Sequence, residues 1–205
     1  RLPGTVLDHP LMQSSAAEAE EFYLYHDLLK RYNAHGTPFL SKDSVLFKEG
    51  GNSILYGHNI RIGTQDVFAP FSGYERLDFY REHPALEIVT NEGTFSFLVI
   101  AYYLVDTSDE DAFVYWETTD LTDPAVFEEY MRRVEERNWL VNPTNRPVCS
   151  DTFLTLSSCS VELARSGTNR MVVMARRCRD GENIADYAAH TSMNPSPKLP
   201  ARLSE

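Results

Sequence analysis

Cysteine is scarce in this 205-residue chain. The three present, Cys149, Cys159 and Cys178, are odd in number and scattered in spacing, which argues against a disulfide framework. No CxxC pair or Cys/His cluster accompanies them, so no zinc site or other metal centre is expected. At least one thiol is left free, as a small buried apolar group or as a reactive one. Long apolar runs are missing as well. The longest, residues 95–105 (FSFLVIAYYLV), is too short to cross a bilayer and is rich in aromatic and β-branched residues, so it reads as a buried strand. The opening RLPGTVLDHP has no basic region followed by an apolar core; it reads as the inside of a folded unit rather than a leader. Positive charge is in short supply: 19 Lys and Arg face 30 Asp and Glu, a net charge of −11. Nucleic acid is therefore not an expected partner, because binding it needs clustered cations on the phosphates. The acidity reads as solubility. No GxSxG elbow, P-loop, GxGxxG turn or HExxH helix occurs, and no cofactor is expected. The acidic run 106–111 (DTSDED) lacks the glycine and terminal glutamate of a calcium loop and reads as a solvated turn.

At 42% hydrophobic content the chain is long enough for one well-buried domain and tight for two. Strand composition between turn signals marks residues 5–7, 45–47, 53–56, 86–90, 94–105, 113–116, 152–157 and 171–175. Glu92-Gly93 reads as a hairpin turn. Eight short strands predict a mainly β domain, a barrel or a sandwich. One or two short helices are expected within 18–30, and short helical turns within 67–81, the latter ending before Pro84. The clearest helix runs from Pro124 to about Arg137, with Asp123 as N-cap and Pro124 in the first turn. It places Val126, Phe127, Tyr130, Met131 and Val134 on one face, and a long connection of this kind is often functional. The domain is expected to span 1–179. Residues 180–205 are polar and carry three prolines near their end, which predicts a partly disordered tail leaving the core.

Cys159 follows the strand run DTFLTLSS and so sits at a strand end. A lone cysteine there is more often structural than catalytic; a nucleophile also needs a base, or a cation favouring the thiolate. Among six histidines, His58 follows the apolar run SILY and Gly57, whose freedom at a turn leaves His58 on a rim rather than in the core. His9, His26, His35, His83 and His190 stand in polar contexts where a surface role dominates. Arg170 opens the run RMVVMAR eleven positions after Cys159, and alternation puts Arg170, Val172 and Met174 on one face. Beside Cys159 it could stabilise an oxyanion; otherwise it is a solvated strand-end arginine like Arg176, Arg177 or Arg179.

Taken together these residues resemble the sortase family. Thr155-Leu156-Ser157-Ser158-Cys159 is similar to its TLxTC motif, with serine at the usual second threonine. Residues 53–59 (SILYGHN) resemble the strand and turn of the catalytic histidine, and 170–173 (RMVV) the strand that begins with the catalytic arginine. Residues 4–13 (GTVLDHPLMQ), 22–27 (FYLYHD) and 36–40 (GTPFL) extend the likeness, and the 124–137 helix points to class B. The resemblance implies an eight-stranded sortase-type β-barrel with peripheral helices, one of them between the sixth and seventh strands. It implies Cys159, His58 and Arg170 as catalytic residues, and Ser157, Leu24, Tyr23 and part of the 118–130 stretch as substrate-binding. The implied partners are secreted proteins with a C-terminal NPxTx-like sorting signal, and an acceptor amine from peptidoglycan or lipid II, or a pilin lysine. The implied location is the outer face of a Gram-positive plasma membrane, held by an N-terminal anchor that lies outside this sequence. An auxiliary acid two positions after the cysteine is not matched: Val161 stands there, beside Glu162. A cysteine peptidase of another fold, or a silent peptide-binding barrel, are the competing readings.

Overall fold

The computed structural model describes residues 1–59, 67–159 and 168–203, with 159 and 202 described by their backbone. The expected position of an auxiliary acid, Val161 and Glu162, lies outside these residues. The strands are β1 (Met12–Gln13), β2 (Phe39–Leu40), β3 (Asn52–Tyr56), β4 (Ala85–Thr90), β5 (Gly93–Asp106), β6 (Leu140–Val141), β7 (Phe153–Cys159), β8 (Asn169–Arg177) and β9 (Ser192–Met193). Seven of them form one curled sheet in the order β1-β2-β3-β7-β8-β5-β4, a half-barrel with β1 and β4 at its edges; β6 and β9 pair separately. The helices α1 (Leu77–Glu82), α2 (Pro124–Arg137) and α3 (Ile184–Ala189) lie outside it. The mainly β architecture is the expected one, but the described strands do not close a barrel of eight, and α2 lies between β5 and the short β6.

Both faces of the sheet are buried. Leu154, Leu156, Met171, Val173, Ala175, Phe97, Val99, Tyr102 and Leu104 face one cluster with Phe68, Phe71 and Tyr80. Phe153, Val172, Met174, Leu98, Ala101, Tyr103 and Val105 face a second with Phe127, Tyr130, Met131 and Val134 of α2. Within β5 the parity reverses midway. The cause is a bulge: Val99 pairs with Ala175 and Ala101 with Met174, leaving Ile100 as the extra residue. Past the end of β4 the exposed edge of β5 is covered by the chain leaving α2. Asn138 Nδ2 donates to the Ile100 carbonyl at 3.0 Å, its Oδ1 accepts from Tyr102 N–H at 3.0 Å, and Trp139 N–H donates to the Tyr102 carbonyl at 2.8 Å.

Helix α2 begins as its cap predicts, with Asp123 accepting from the N–H groups of Ala125 and Val126 at 2.8 and 3.1 Å. Phe127, Tyr130, Met131 and Val134 are buried on it, whereas Val126 is 45% exposed and does not join that face. Three expected strands are absent. At 5–7 the Thr5 hydroxyl donates to the Leu2 carbonyl and accepts from Leu7 N–H, making a side-chain turn. At 45–47 Val45 is exposed and Phe47 has φ +64°, which no strand accepts. Residues Tyr115–Glu117 form a 3₁₀ turn. The helical signals at 18–30 and 67–81 become 3₁₀ turns Phe22–Tyr25 and Ala69–Glu75, followed by α1.

The tail corrects the sequence reading most. Residues 180–203 hold α3 and β9 and pack onto the core through Tyr187 and Ala188. Their attachment is largely polar, which composition does not reveal. Asn142 Nδ2 donates to the Tyr187 carbonyl at 2.7 Å, and Asn194 Nδ2 to the Asn138 carbonyl at 2.8 Å. Among the described residues no helix is long and apolar enough to cross a membrane.

Candidate functional site

Strand directions bring three distant segments to one edge of the sheet. β3 and β7 run parallel, with Tyr56 opposite Ser157, so both end at the same edge. β8 runs antiparallel to β7 and begins there, with Arg170 directly opposite Cys159. The turn after β3 carries His58. A groove of about 470 Å³ opens at this edge, lined by His58, Leu24, Ser157, Ser158 and Arg170 among others.

The His58 turn is fixed from several sides. Gly57 N–H donates to the Ser157 carbonyl at 3.3 Å, and the Ser158 hydroxyl donates to the Gly57 carbonyl at 2.7 Å. The serine that stands where a threonine was expected therefore supplies the hydroxyl that ties the end of β7 to the histidine turn. Phe68 N–H donates to the His58 carbonyl at 2.9 Å. Gly57 is needed for close approach, since a Cβ there would lie 2.8 Å from the Phe68 ring. The imidazole itself contacts the Leu24 carbonyl, with Nε2 at 2.9 Å. A carbonyl can only accept, so Nε2 carries a proton and donates it, leaving Nδ1 as the nitrogen open to proton transfer. Burial pushes the His58 pKa down; the Leu24 carbonyl opposes this and the neighbouring His35 adds to it.

Arg170 is half-buried, and its Nη1 donates to the Asn169 carbonyl at 3.1 Å. Val172 and Met174, on the same face, lie in the core beneath α2. Ser157 is buried and shares a 2.6 Å hydrogen bond with the Tyr115 hydroxyl. Burial, then Glu20, pushes the Tyr56 hydroxyl up to about 12 despite the opposing Arg170, so this groove phenol stays protonated at neutral pH. Leu24 lines the groove. Tyr23 does not: it is 3% exposed, packed edge-on against Phe22 and absent from the groove wall. The 118–130 stretch does not line the groove either; Tyr115 and Trp116, just before it, do.

Tyr25, Phe39, Tyr56, Glu20 and Glu21 also line the wall. The sequence reading assigned none of these to the site. Glu20, Glu21 and Tyr25 lie within four positions of the Leu24 candidate, and Tyr115 and Trp116 just before the 118–130 stretch, a proximity signal that could have flagged them. Among the described residues no group of three His, Cys, Asp or Glu side chains is placed to hold a metal ion. Chemically, the arrangement offers a proton-carrying imidazole, a guanidinium and a cysteine position at one groove.

No protein-family model matches the chain. It is 25% identical over 176 residues to sortase B of Staphylococcus aureus, covering 86% of this chain and 67% of that protein. It is 27% identical over 159 residues to sortase B of Listeria monocytogenes, covering 77% of this chain and 60% of that one. The solved structure of the Staphylococcus aureus sortase B–substrate complex shares the fold, with a TM-score of 0.71 and 24% identity, over 88% of this chain and 78% of that chain.

Proposed function

We propose, from the premise that the chain belongs with the class B sortases, that it is a cysteine transpeptidase in which Cys159, His58 and Arg170 carry the reaction. The single observation behind this is the strand register that sets Cys159 opposite Arg170 at the edge where His58 lines the groove. The substrate class is a sorting signal of the NPxTx type near the C-terminus of a secreted protein. The Cys159 thiolate adds to the threonine carbonyl carbon, and the resulting oxyanion is met by the Arg170 guanidinium. Collapse breaks the C–N bond, and His58, made an imidazolium by the proton that its Nδ1 took from the Cys159 thiol, gives that proton from Nδ1 to the leaving amine while Nε2–H stays on the Leu24 carbonyl. A primary amine then attacks the thioester. Its proton passes to His58, and the sulfur departs as thiolate.

The acceptor in this reading is an amine of the cell-wall peptidoglycan or its lipid-linked precursor, and the working location is the outer face of a Gram-positive membrane. Ser157 and Leu24 would contact the peptide, with Tyr25, Tyr115 and Trp116 giving aromatic walls for its apolar parts. The test is cleavage of an internally quenched NPQTN-type peptide by the wild-type chain and by Cys159→Ala. Turnover that requires Cys159, with a mass increment on that thiol during the reaction, is expected. Cleavage that persists in the alanine variant would overturn the mechanism.

A further inference from the structure

The acceptor of the His58 proton is a backbone carbonyl 34 residues away in the chain, and something must hold that carbonyl in place. Leu24 lies in the 3₁₀ turn Phe22–Tyr25, outside the sheet. The chain that follows folds back over this turn. Asn33 N–H donates to the Tyr25 carbonyl and Thr37 N–H to the Tyr23 carbonyl, both at 2.9 Å. The Thr37 hydroxyl adds a bond to the His26 carbonyl at 3.0 Å. At the closest point stands Gly36, with φ +60°. A Cβ on Gly36 would lie 2.3 Å from Leu24 O, and 2.7 Å from both Leu24 C and Tyr23 O. All three are backbone atoms, so no side-chain rotation could relieve the clash. The atom struck hardest is the one that accepts from His58.

We infer that Gly36 is a positioning residue for His58: its lack of a side chain lets the Leu24 carbonyl reach Nε2, which fixes the imidazole tautomer and frees Nδ1 for proton transfer. This rests on the transpeptidase reading for its consequence, though not for its geometry. A catalytic base is commonly oriented by a third group. Here that group is an uncharged carbonyl, which cannot titrate away and is set by chain path rather than by a side chain. Tyr25, whose ring lies 5.5 Å from that of His58, belongs to the same turn, so a shift of the turn would move the groove wall too.

Three variants of the whole chain test the idea. Gly36→Ala should displace the carbonyl. Thr37→Val keeps the shape of the loop but removes the bond to His26, and serves if the first variant folds poorly. Gly181→Ala is the control: its φ is +73° yet nothing lies within 4 Å of the added Cβ, so it carries the left-handed strain without the contact. The imidazole nitrogens are read by ¹⁵N NMR, and kcat and KM by cleavage of the quenched peptide. Neutral wild-type His58 should be the Nε2–H tautomer. Gly36→Ala should erode that preference and lower kcat roughly 10²-fold, the scale of a misplacement of about 1 Å, with KM moving much less. Thr37→Val should do the same in smaller measure, and Gly181→Ala should do neither. A wild-type Nδ1–H tautomer, or Gly36→Ala matching the control in both readouts, overturns the inference. If the tautomer follows Gly36 while peptide cleavage ignores Cys159, the positioning role stands and the transpeptidase reading falls.

Discussion

Glu182→Gln should destabilise the chain far more than any surface charge change, because it strips the partner from a fully buried cation. The Arg176 side chain, expected from the sequence to be solvated at a strand end, is 0% accessible and that of Glu182 6%. Arg176 Nη1 donates to Glu182 Oε2 at 2.8 Å, and Nη2 donates to Oε1. The same carboxylate accepts from Arg179 N–H at 3.0 Å and from Asn145 Nδ2. Glutamine keeps the shape but offers one acceptor and no charge. Removing one member of a buried pair costs about 3–5 kcal/mol. At roughly 2–4 °C per kcal/mol for a chain of this size, the melting temperature should fall by roughly 6–20 °C. Glu129→Gln breaks an exposed pair with Arg132 and should cost less than about 1 kcal/mol. Burial alone would push the Glu182 carboxyl up, but Arg176 and the Arg179 N–H outweigh it and hold it below the ordinary value. Its contribution is therefore present above the unfolded carboxylate pKa and lost as pH falls through the lower folded one. The gap in melting temperature between wild type and Glu182→Gln should close on acidification. Calorimetric melts at neutral and acidic pH decide it. A gap below about 1 kcal/mol at neutral pH, or one that pH does not alter, would refute both the energetics and the place of the tail in the folding unit.

Arg170→Lys keeps the charge and loses the planar fork, so kcat for the sorting peptide should fall at least about tenfold with the melt unchanged; a near wild-type rate would move the oxyanion role to another group. Ser158→Ala leaves the buried Gly57 carbonyl without its hydroxyl donor. It should cost about 1–3 kcal/mol in denaturant titrations and slow turnover, while Ser158→Thr, which keeps the donor, should do neither.

Legibility in the sequence tracked the physical origin of each feature. Helix α2 could be read almost to its last residue, since a side-chain cap, a proline in the first turn and one apolar stripe are all local. Strand β5 could be read as buried from its unbroken apolar run, but the bulge that reverses its faces could not. Its freed backbone groups at Ile100 and Tyr102 bond the Asn138 side chain, which reaches them only after α2 has returned the chain. Turns at Thr5 and Phe47 defeated β propensity through one hydroxyl and one positive φ. The tail was misread because its attachments are asparagine amides and a buried ion pair, and polar composition in a sequence reads as solvent. At the site, the Cys159, His58 and Arg170 positions stood out by type and by family likeness. The aromatic wall of Tyr25, Tyr115 and Trp116 did not, because what recruits them is the folding of loops over the sheet edge.

The cysteine drew attention first as an isolated thiol at a strand end, and its surroundings now follow from register rather than from motif. Leu154 and Leu156 face one buried cluster and Phe153 the other. A slip of one residue in β7 would turn Thr155 and Ser157 into the first cluster and break the bond from the Thr155 hydroxyl to Asn52 Oδ1 at 2.8 Å. Burial on both faces therefore fixes β7 against β3 and β8 at once. The pairing of Cys159 with Arg170, and the tie from Ser158 to the His58 turn, are consequences of that same alignment. The packing that stabilises the sheet is thus also what aligns the groove, so core substitutions that loosen the β7 register should reduce turnover before they unfold the chain.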